Sequence, residues 1–306
     1  DAAAQAFCAT GLRAVAAQGI IDFPAPGVPD PTQNIAAAAE FLATWQGKNS
    51  LLTPALFCHS PYTCSPDTLQ RAKALAREAG SLFFIHLAET REEGRQIKEQ
   101  HGHTPVGLLH DLGLLDAETI CVHCVWLEER DIGLLRESGA KAVTCPESNM
   151  KLGSGIAPLA ALRGAGVRVG LGTDGCASNN DLDLFQEMGI CARLHKIAAH
   201  GPSNLPATTL LGMATGEGSG ILGLAGQTGR LAPGLRADCI IVESKQPRPN
   251  AVHNPESLVY AGRGSDVATV IIDGRVVMEE RRLLSFDLAE TLNEVRRLAR
   301  RVRAGT

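Results

Sequence analysis

No stretch of this 306-residue chain approaches the roughly 18 consecutive apolar residues of a membrane-spanning helix, and no charged segment leads into the apolar core of a secretory leader. These two absences predict a cytoplasmic protein without a membrane partner. Excess charge of one sign is also lacking. Lys and Arg number 29 against 33 Asp and Glu, for a formal net charge of -4 and an isoelectric point near 6.2. That balance leaves no electrostatic footprint for nucleic acid, and the basic run RRLARRVR at 296–303 reads as a solvated face of a terminal helix. A disulfide framework is missing too, because the nine cysteines are odd in number and scattered through apolar segments, as reduced, buried thiols are. Cys121 and Cys124 form a CxxC, but it sits inside the apolar run TICVHCVWL with no second pair, so the reading is structural, not redox or zinc-binding. The chain begins at Asp1 with no initiator methionine, and DAAAQAFCATG reads as the middle of an alanine-rich helix. The expectation is the remainder of a longer protein.

What is present is enough apolar material for a substantial core, at 44% of residues. Six apolar runs read as buried strands, at 12–18, 51–60, 81–88, 119–125, 140–146 and 167–175. Between them lie helical patterns such as SPDTLQRAKALAREAG, with Ser65 as N-cap and Gly80 as terminator, and LEERDIGLLRESG, ending at Gly139. Apolar strands alternating with helices at a spacing near thirty residues predict an α/β fold with a parallel, helix-covered sheet. After about residue 225 the texture becomes β-rich, and Asp273-Gly274 between VIID and RVVM is a hairpin signal. The expected organisation is a barrel over 1–225, a small β-domain over 226–286 and a C-terminal helix over 287–306.

Polar residues gather where the apolar runs finish: His59, His86, His123, the Cys145–Asn149 turn and Asp174. In a (β/α)8 barrel the C-terminal ends of the strands converge on one mouth, so the pattern predicts a single shared site. Taken singly, each histidine is more often a hydrogen-bonded structural residue than a ligand. Taken together, neutral imidazoles beside carboxylates are the ingredients of a metal site. His86 and Asp174 offer nitrogen and oxygen donors suited to zinc, and Glu89, just beyond His86, is placed to move a proton from an activated water. His123 is positioned to assist, and the chemistry predicted is hydrolysis.

Several motifs in order sharpen this reading. LFCHSPYTCSPDTL, IHLAETREE, CVHCVWL, CPESNMKLGSGIAP and LGTDGCASNNDLDLFQEM resemble the strand-end motifs of the amidohydrolase superfamily. Within it they are most similar to the 5-methylthioadenosine/S-adenosylhomocysteine deaminases, and PGLRADCIIVE and VIIDGRVV resemble that family's C-terminal β-domain, a β-sandwich. The resemblance implies a TIM-type barrel of which strands three to eight are present. It implies one divalent metal, zinc by preference, with His86 and Asp174 as ligands. Glu89, His123 and Asp174 would be catalytic, and His59, Glu89, Asp174 and Ser178 would contact a small-molecule purine nucleoside. The implied reaction is deamination of an adenosine-type nucleoside to the inosine analogue plus ammonia, by a homo-oligomer.

Departures from the pattern keep alternatives open. The family's first barrel strand ends in His-x-His, two further ligands, whereas His101 and His103 follow a Glu/Lys-rich helical pattern and read as a surface loop. Guanine- or triazine-type aminohydrolases share the strand-end ligands, and a non-catalytic fragment lacking two metal ligands is the reading from another class. No Arg or Lys lies between Val15 and Trp45, so a substrate carboxylate would find no bidentate partner there and neutral nucleosides are expected to be preferred. With two strands missing, exposed edges and an uncovered lumen are expected, and poor folding of the isolated chain with them.

Overall fold

All six apolar runs become parallel strands: β1 (Ala14–Ile20), β2 (Leu52–Cys58), β3 (Phe83–Leu87), β4 (Thr119–His123), β5 (Lys141–Thr144) and β6 (Val169–Leu171). They pair in sequence order into one sheet in a computed structural model that describes residues 1–198, 205–243 and 254–304. Each strand reaches its neighbour through helices, the connection that parallel pairing requires.

Local chemistry sets the ends of these helices. The helix Pro66–Glu78 starts where Ser65 Oγ accepts the Thr68 N–H at 3.2 Å, with proline in the first turn. It buries Leu69, Ala72, Lys73 and Ala76, one stripe of an amphipathic helix. The ammonium of Lys73 tolerates burial because it donates to Asp116 at 2.6 Å and to Thr119 Oγ1 at 2.8 Å. The helix Glu129–Ser138 ends as expected at Gly139, whose φ of 74° is cheap only for glycine.

The two faces of the sheet differ in burial. Leu56, Cys58, Phe83, Ile85, Leu87, Cys121, Ala142 and Val169 belong to the main core. Phe57, Phe84, His86, Val122 and Val143, which alternate with them, are half-buried, and β1 and β6 form the sheet's edges. This is the incompletely covered lumen expected of six barrel strands. A satellite core under β1 joins Ala4, Ala16, Phe41, Trp45 and Leu52.

A second, antiparallel sheet follows in the order β10-β9-β8-β7, from β7 (Cys239–Val242), β8 (Val267–Ile272), β9 (Arg275–Glu279) and β10 (Arg282–Leu283). The hairpin falls where Asp273-Gly274 predicts it, with φ of 51° and 77°, the positive pair that a type I′ turn demands. Arg13, just ahead of β1, grips Asp238 through Nε and Nη2, a forked contact that ties the parallel sheet to the antiparallel one. The helix Leu288–Ala304 closes the described chain and buries none of its residues. No helix among the described residues is long and apolar enough to cross a membrane.

Candidate active site

The strand ends bring their polar residues together. His59 follows β2, His86 lies near the end of β3, His123 ends β4 and Asp174 follows β6. The rings of His59 and His86 are 5.1 Å apart, as are those of His86 and His123. One ligand atom each from His86, His123 and Asp174 lies within 4.8 Å of the others. Backbone geometry makes this convergence. His123 stands in register with Leu87, whose side chain joins the helix-side core, so strand alternation alone would send the imidazole away from His86. A left-handed φ of 78° at His123 redirects it. Asp174 (φ 60°) and Ala88 (φ 52°) adopt the same region, a strain of about 1–3 kcal/mol each that surrounding contacts must offset.

Those contacts are specific. Asn149 Oδ1 lies 2.8 Å from His123 Nδ1 in a buried pair, so Nδ1 carries the hydrogen and Nε2 presents its lone pair. Asp174 Oδ2 accepts from Ser148 Oγ at 2.7 Å, and Oδ1 accepts from the Gly175 N–H. Burial opposes ionisation of Asp174, but these two donors outweigh it and hold the carboxyl below its usual range. Burial, reinforced by His123 and His59, lowers His86 to about 4 and keeps its imidazole neutral. Glu89 Oε1 accepts from Ser154 Oγ at 2.9 Å, while Oε2 stands 3.7 Å from His123 Nε2. An imidazole nitrogen each from His86 and His123 and one carboxylate oxygen from Asp174 are a donor set that fits a divalent metal of the zinc class.

The sequence profile described as "Amidohydrolase family" matches residues 1–277. This chain belongs to the amidohydrolase family. As an amidohydrolase it is 46% identical over 98% of its length to a 5-methylthioadenosine/S-adenosylhomocysteine deaminase of Syntrophobacter fumaroxidans, covering 68% of that protein. It is 40% identical to a 5'-deoxyadenosine deaminase of Methanosarcina mazei, over 98% of this chain and 69% of the relative. Among solved structures, an adenosine deaminase from Xanthomonas campestris with bound zinc superposes with a TM-score of 0.94 at 34% identity, over 98% of this chain and 69% of that one. The chain thus spans about two thirds of the length of these relatives.

Within this amidohydrolase the fold gathers His86, His123 and Asp174 into one cluster, with Glu89 at its edge and the His59 ring edge-on to that of His86 at an interplanar angle of 83°. His59 Nδ1 is engaged by the hydroxyls of Thr63 (2.9 Å) and Ser60 (3.2 Å), which leaves Nε2 for a ligand. Ser178 lies in the turn after Asp174, where its backbone N–H donates to Gly175 O; it is its neighbour Asn179 whose side chain reaches inward. His101 ends a helix and His103 pairs with Asp111 at 3.3 Å, and neither joins the cluster. Cys121 and Cys124 are buried, reduced thiols.

Sequence reasoning missed the supporting layer. Glu93 is buried, and its two oxygens accept the N–H groups of Ala88 (2.8 Å) and Glu89 (2.7 Å), which holds the left-handed turn between His86 and Glu89. Its signal was present, since Thr90-Arg91-Glu92-Glu93 has capping-box spacing and Thr90 Oγ1 does accept the Glu93 N–H. Glu187, fully buried in the helix Leu184–Ala198, accepts from Asn179 Nδ2 at 2.8 Å and from the Glu147 N–H at 3.2 Å. It thereby ties the loop that carries Asp174 to the helix that carries Ser148 and Asn149. Burial, with the neighbouring Glu147 adding, pushes its carboxyl up to about 7.

Proposed function

We propose that this amidohydrolase is a metal-dependent deaminase that converts an adenosine-type nucleoside and water into the inosine analogue and ammonia. The observation that carries the reading is the meeting of His86, His123 and Asp174 within 4.8 Å, with the Glu89 carboxylate 3.7 Å from His123. The names of the relatives at 40–46% identity, and of the adenosine deaminase of nearly superposable fold, support the substrate class.

His86, His123 and Asp174 would hold the metal, with zinc favoured by the donor set and by the zinc in the structural relative. Its contribution is Lewis acidity, which makes water nucleophilic near neutral pH. The remaining work falls to side chains of this chain. Asp174, kept ionised by Ser148 and Gly175, accepts a proton from the attacking water. Glu89 Oε2 faces the reacting ring and delivers to its nitrogen one proton that it takes from the water, while the second water proton, held by Asp174, passes to the departing amine, so both end in the products. Ser154 holds the opposite oxygen of Glu89, so that only Oε2 is available for transfer. His123 Nε2 points at the same spot, because Asn149 fixes the proton on Nδ1. His59 Nε2 contacts the nucleoside, and Ser178 flanks it from the turn after Asp174.

Ammonia release from adenosine and 5'-methylthioadenosine, together with metal analysis of the purified protein, tests the proposal. Glu89→Gln is expected to lower kcat by about 100- to 10,000-fold with metal content unchanged. Absence of both bound metal and turnover in the wild-type protein would instead indicate a non-catalytic chain.

A further inference from the structure

Trp126 lies three residues beyond His123, where the chain leaves β4, and at 37% exposed it is too open to be explained as core. Both of its N–H groups lead toward Glu89. The backbone N–H donates to Ala88 O at 2.8 Å, one residue ahead of Glu89 in the chain. The indole Nε1–H donates to Ser154 O at 2.7 Å, and the hydroxyl of that same Ser154 donates to Glu89 Oε1 at 2.9 Å.

Ser154 needs such an anchor. Gly153 and Gly155 flank it at φ of 69° and 128°, a backbone that glycine enters and leaves with little steric cost. On one side the Ser154 N–H donates to Asn149 O at 2.9 Å; on the other its carbonyl meets the indole. Ser154 is buried, so a carbonyl deprived of that donor would not be freely repaid by water. Gly155 rests on the ring itself, since a Cβ there would stand 2.9 Å from Val125 Cγ1 and 3.1 Å from Trp126 Cζ2. The indole is steadied in turn by the Arg91 guanidinium, 4.1 Å from the ring centre.

We propose that Trp126 is a positioning residue for the deamination, which through Ser154 fixes the carboxylate of Glu89 so that Oε2 is the oxygen offered to the reacting ring. The inference rests on the deaminase reading above. Trp126 acts only through Ser154 and Glu89, so its loss falls on kcat and not on KM.

The test is a double-mutant cycle on ammonia release from adenosine, with bound metal measured in each protein. Trp126→Phe keeps an aromatic ring beside Arg91 but removes the donor, and is expected to lower kcat by about three- to ten-fold, with KM within about two-fold and metal content unchanged. Replacing Trp126 by 3-benzothienylalanine, which sets sulfur in the place of Nε1–H and keeps the outline of the ring, is expected to give the same fall, and it decides the matter if the smaller phenyl ring impairs folding. Ser154→Ala alone should lower kcat at least as far, and adding Trp126→Phe to it should lower kcat by less than about two-fold more, because the indole acts through the hydroxyl already removed. A wild-type kcat in the benzothienyl protein, or losses that multiply in the double variant, overturns the proposal. Loss of metal together with kcat assigns Trp126 to the support of His123 and overturns it as well. Absence of ammonia release by the wild-type protein overturns the deaminase reading itself, and the proposal with it.

Discussion

Replacing Glu93 isolates the contribution of a residue that touches no substrate. Its carboxyl receives the N–H groups of Ala88 and Glu89 at 2.8 and 2.7 Å, in a pocket where the residue is 2% exposed. Glu93→Ala removes both acceptors from buried donors. At about 1–3 kcal/mol per orphaned N–H, the loss is about 2–6 kcal/mol, a large fraction of the stability of an ordinary domain. Glu93→Gln keeps the volume and one acceptor but turns an amide N–H toward the other donor, so about 1–3 kcal/mol is expected, with a fall in kcat as Glu89 loses its aim. The pH dependence provides an independent check. Burial pushes the Glu93 carboxyl up from 4.5 to about 7, so between those values the unfolded chain releases a proton that the folded chain retains. Stability from this group is therefore full below about pH 4.5 and is lost as pH rises through 7, a change of about 3 kcal/mol. Urea unfolding of wild type and Glu93→Gln at pH 5 and pH 8 measures it. The advantage of wild type over the variant should shrink as pH rises. A Gln variant with wild-type midpoint and kcat at both pH values would refute the assignment.

Three further outcomes follow from the same geometry. Asn149→Leu should lower kcat by about ten-fold or more and cost about 1–3 kcal/mol, because His123 Nδ1–H is buried and loses its acceptor; kinetics with thermal unfolding check both. Ser154→Ala should release Glu89 Oε1 and lower kcat with little change in KM, while stability shifts by about 1 kcal/mol or less; a wild-type kcat would remove Ser154 from the site. Chelation should lower the Tm in proportion to metal affinity, since an ion that binds only the folded state at 1,000 times its Kd contributes about 4 kcal/mol, and an unchanged Tm would count against His86, His123 and Asp174 as ligands.

The strands were legible in the sequence because a parallel strand covered on its outer face must be nearly all apolar, and FFIHL or TICVH stands out against the charged helices around it. The residues that end those strands were legible only as a set, because His59, His86, His123 and Asp174 close successive apolar runs whose C-terminal ends share one mouth. What stayed hidden is how they are aimed. Alternation along β4 assigns His123 to the helix side, and only a positive φ reverses it, a conformation that histidine rarely adopts and that no neighbouring glycine announces. The supporting layer was hidden for a related reason. Glu187 sits in FQEMGICAR, a helical pattern in which one glutamate ordinarily faces solvent, yet it is fully buried beneath the loop from Thr173 to Asn179. Asn179 Nδ2 bridges Glu187 Oε1 and Thr173 O, so burial of the carboxyl and placement of Asp174 are one event. Across the same interface Glu147 accepts from Gln186 Nε2 at 2.7 Å, while its Oε2 is buried without a partner among the described residues. Burial, with the Glu147 carboxyl adding, disfavours the ionised form of Glu187, and its raised carboxyl is the physical relief. A local pattern in sequence cannot display such a pair, because its members lie forty positions apart and meet only after both loops have folded over the site.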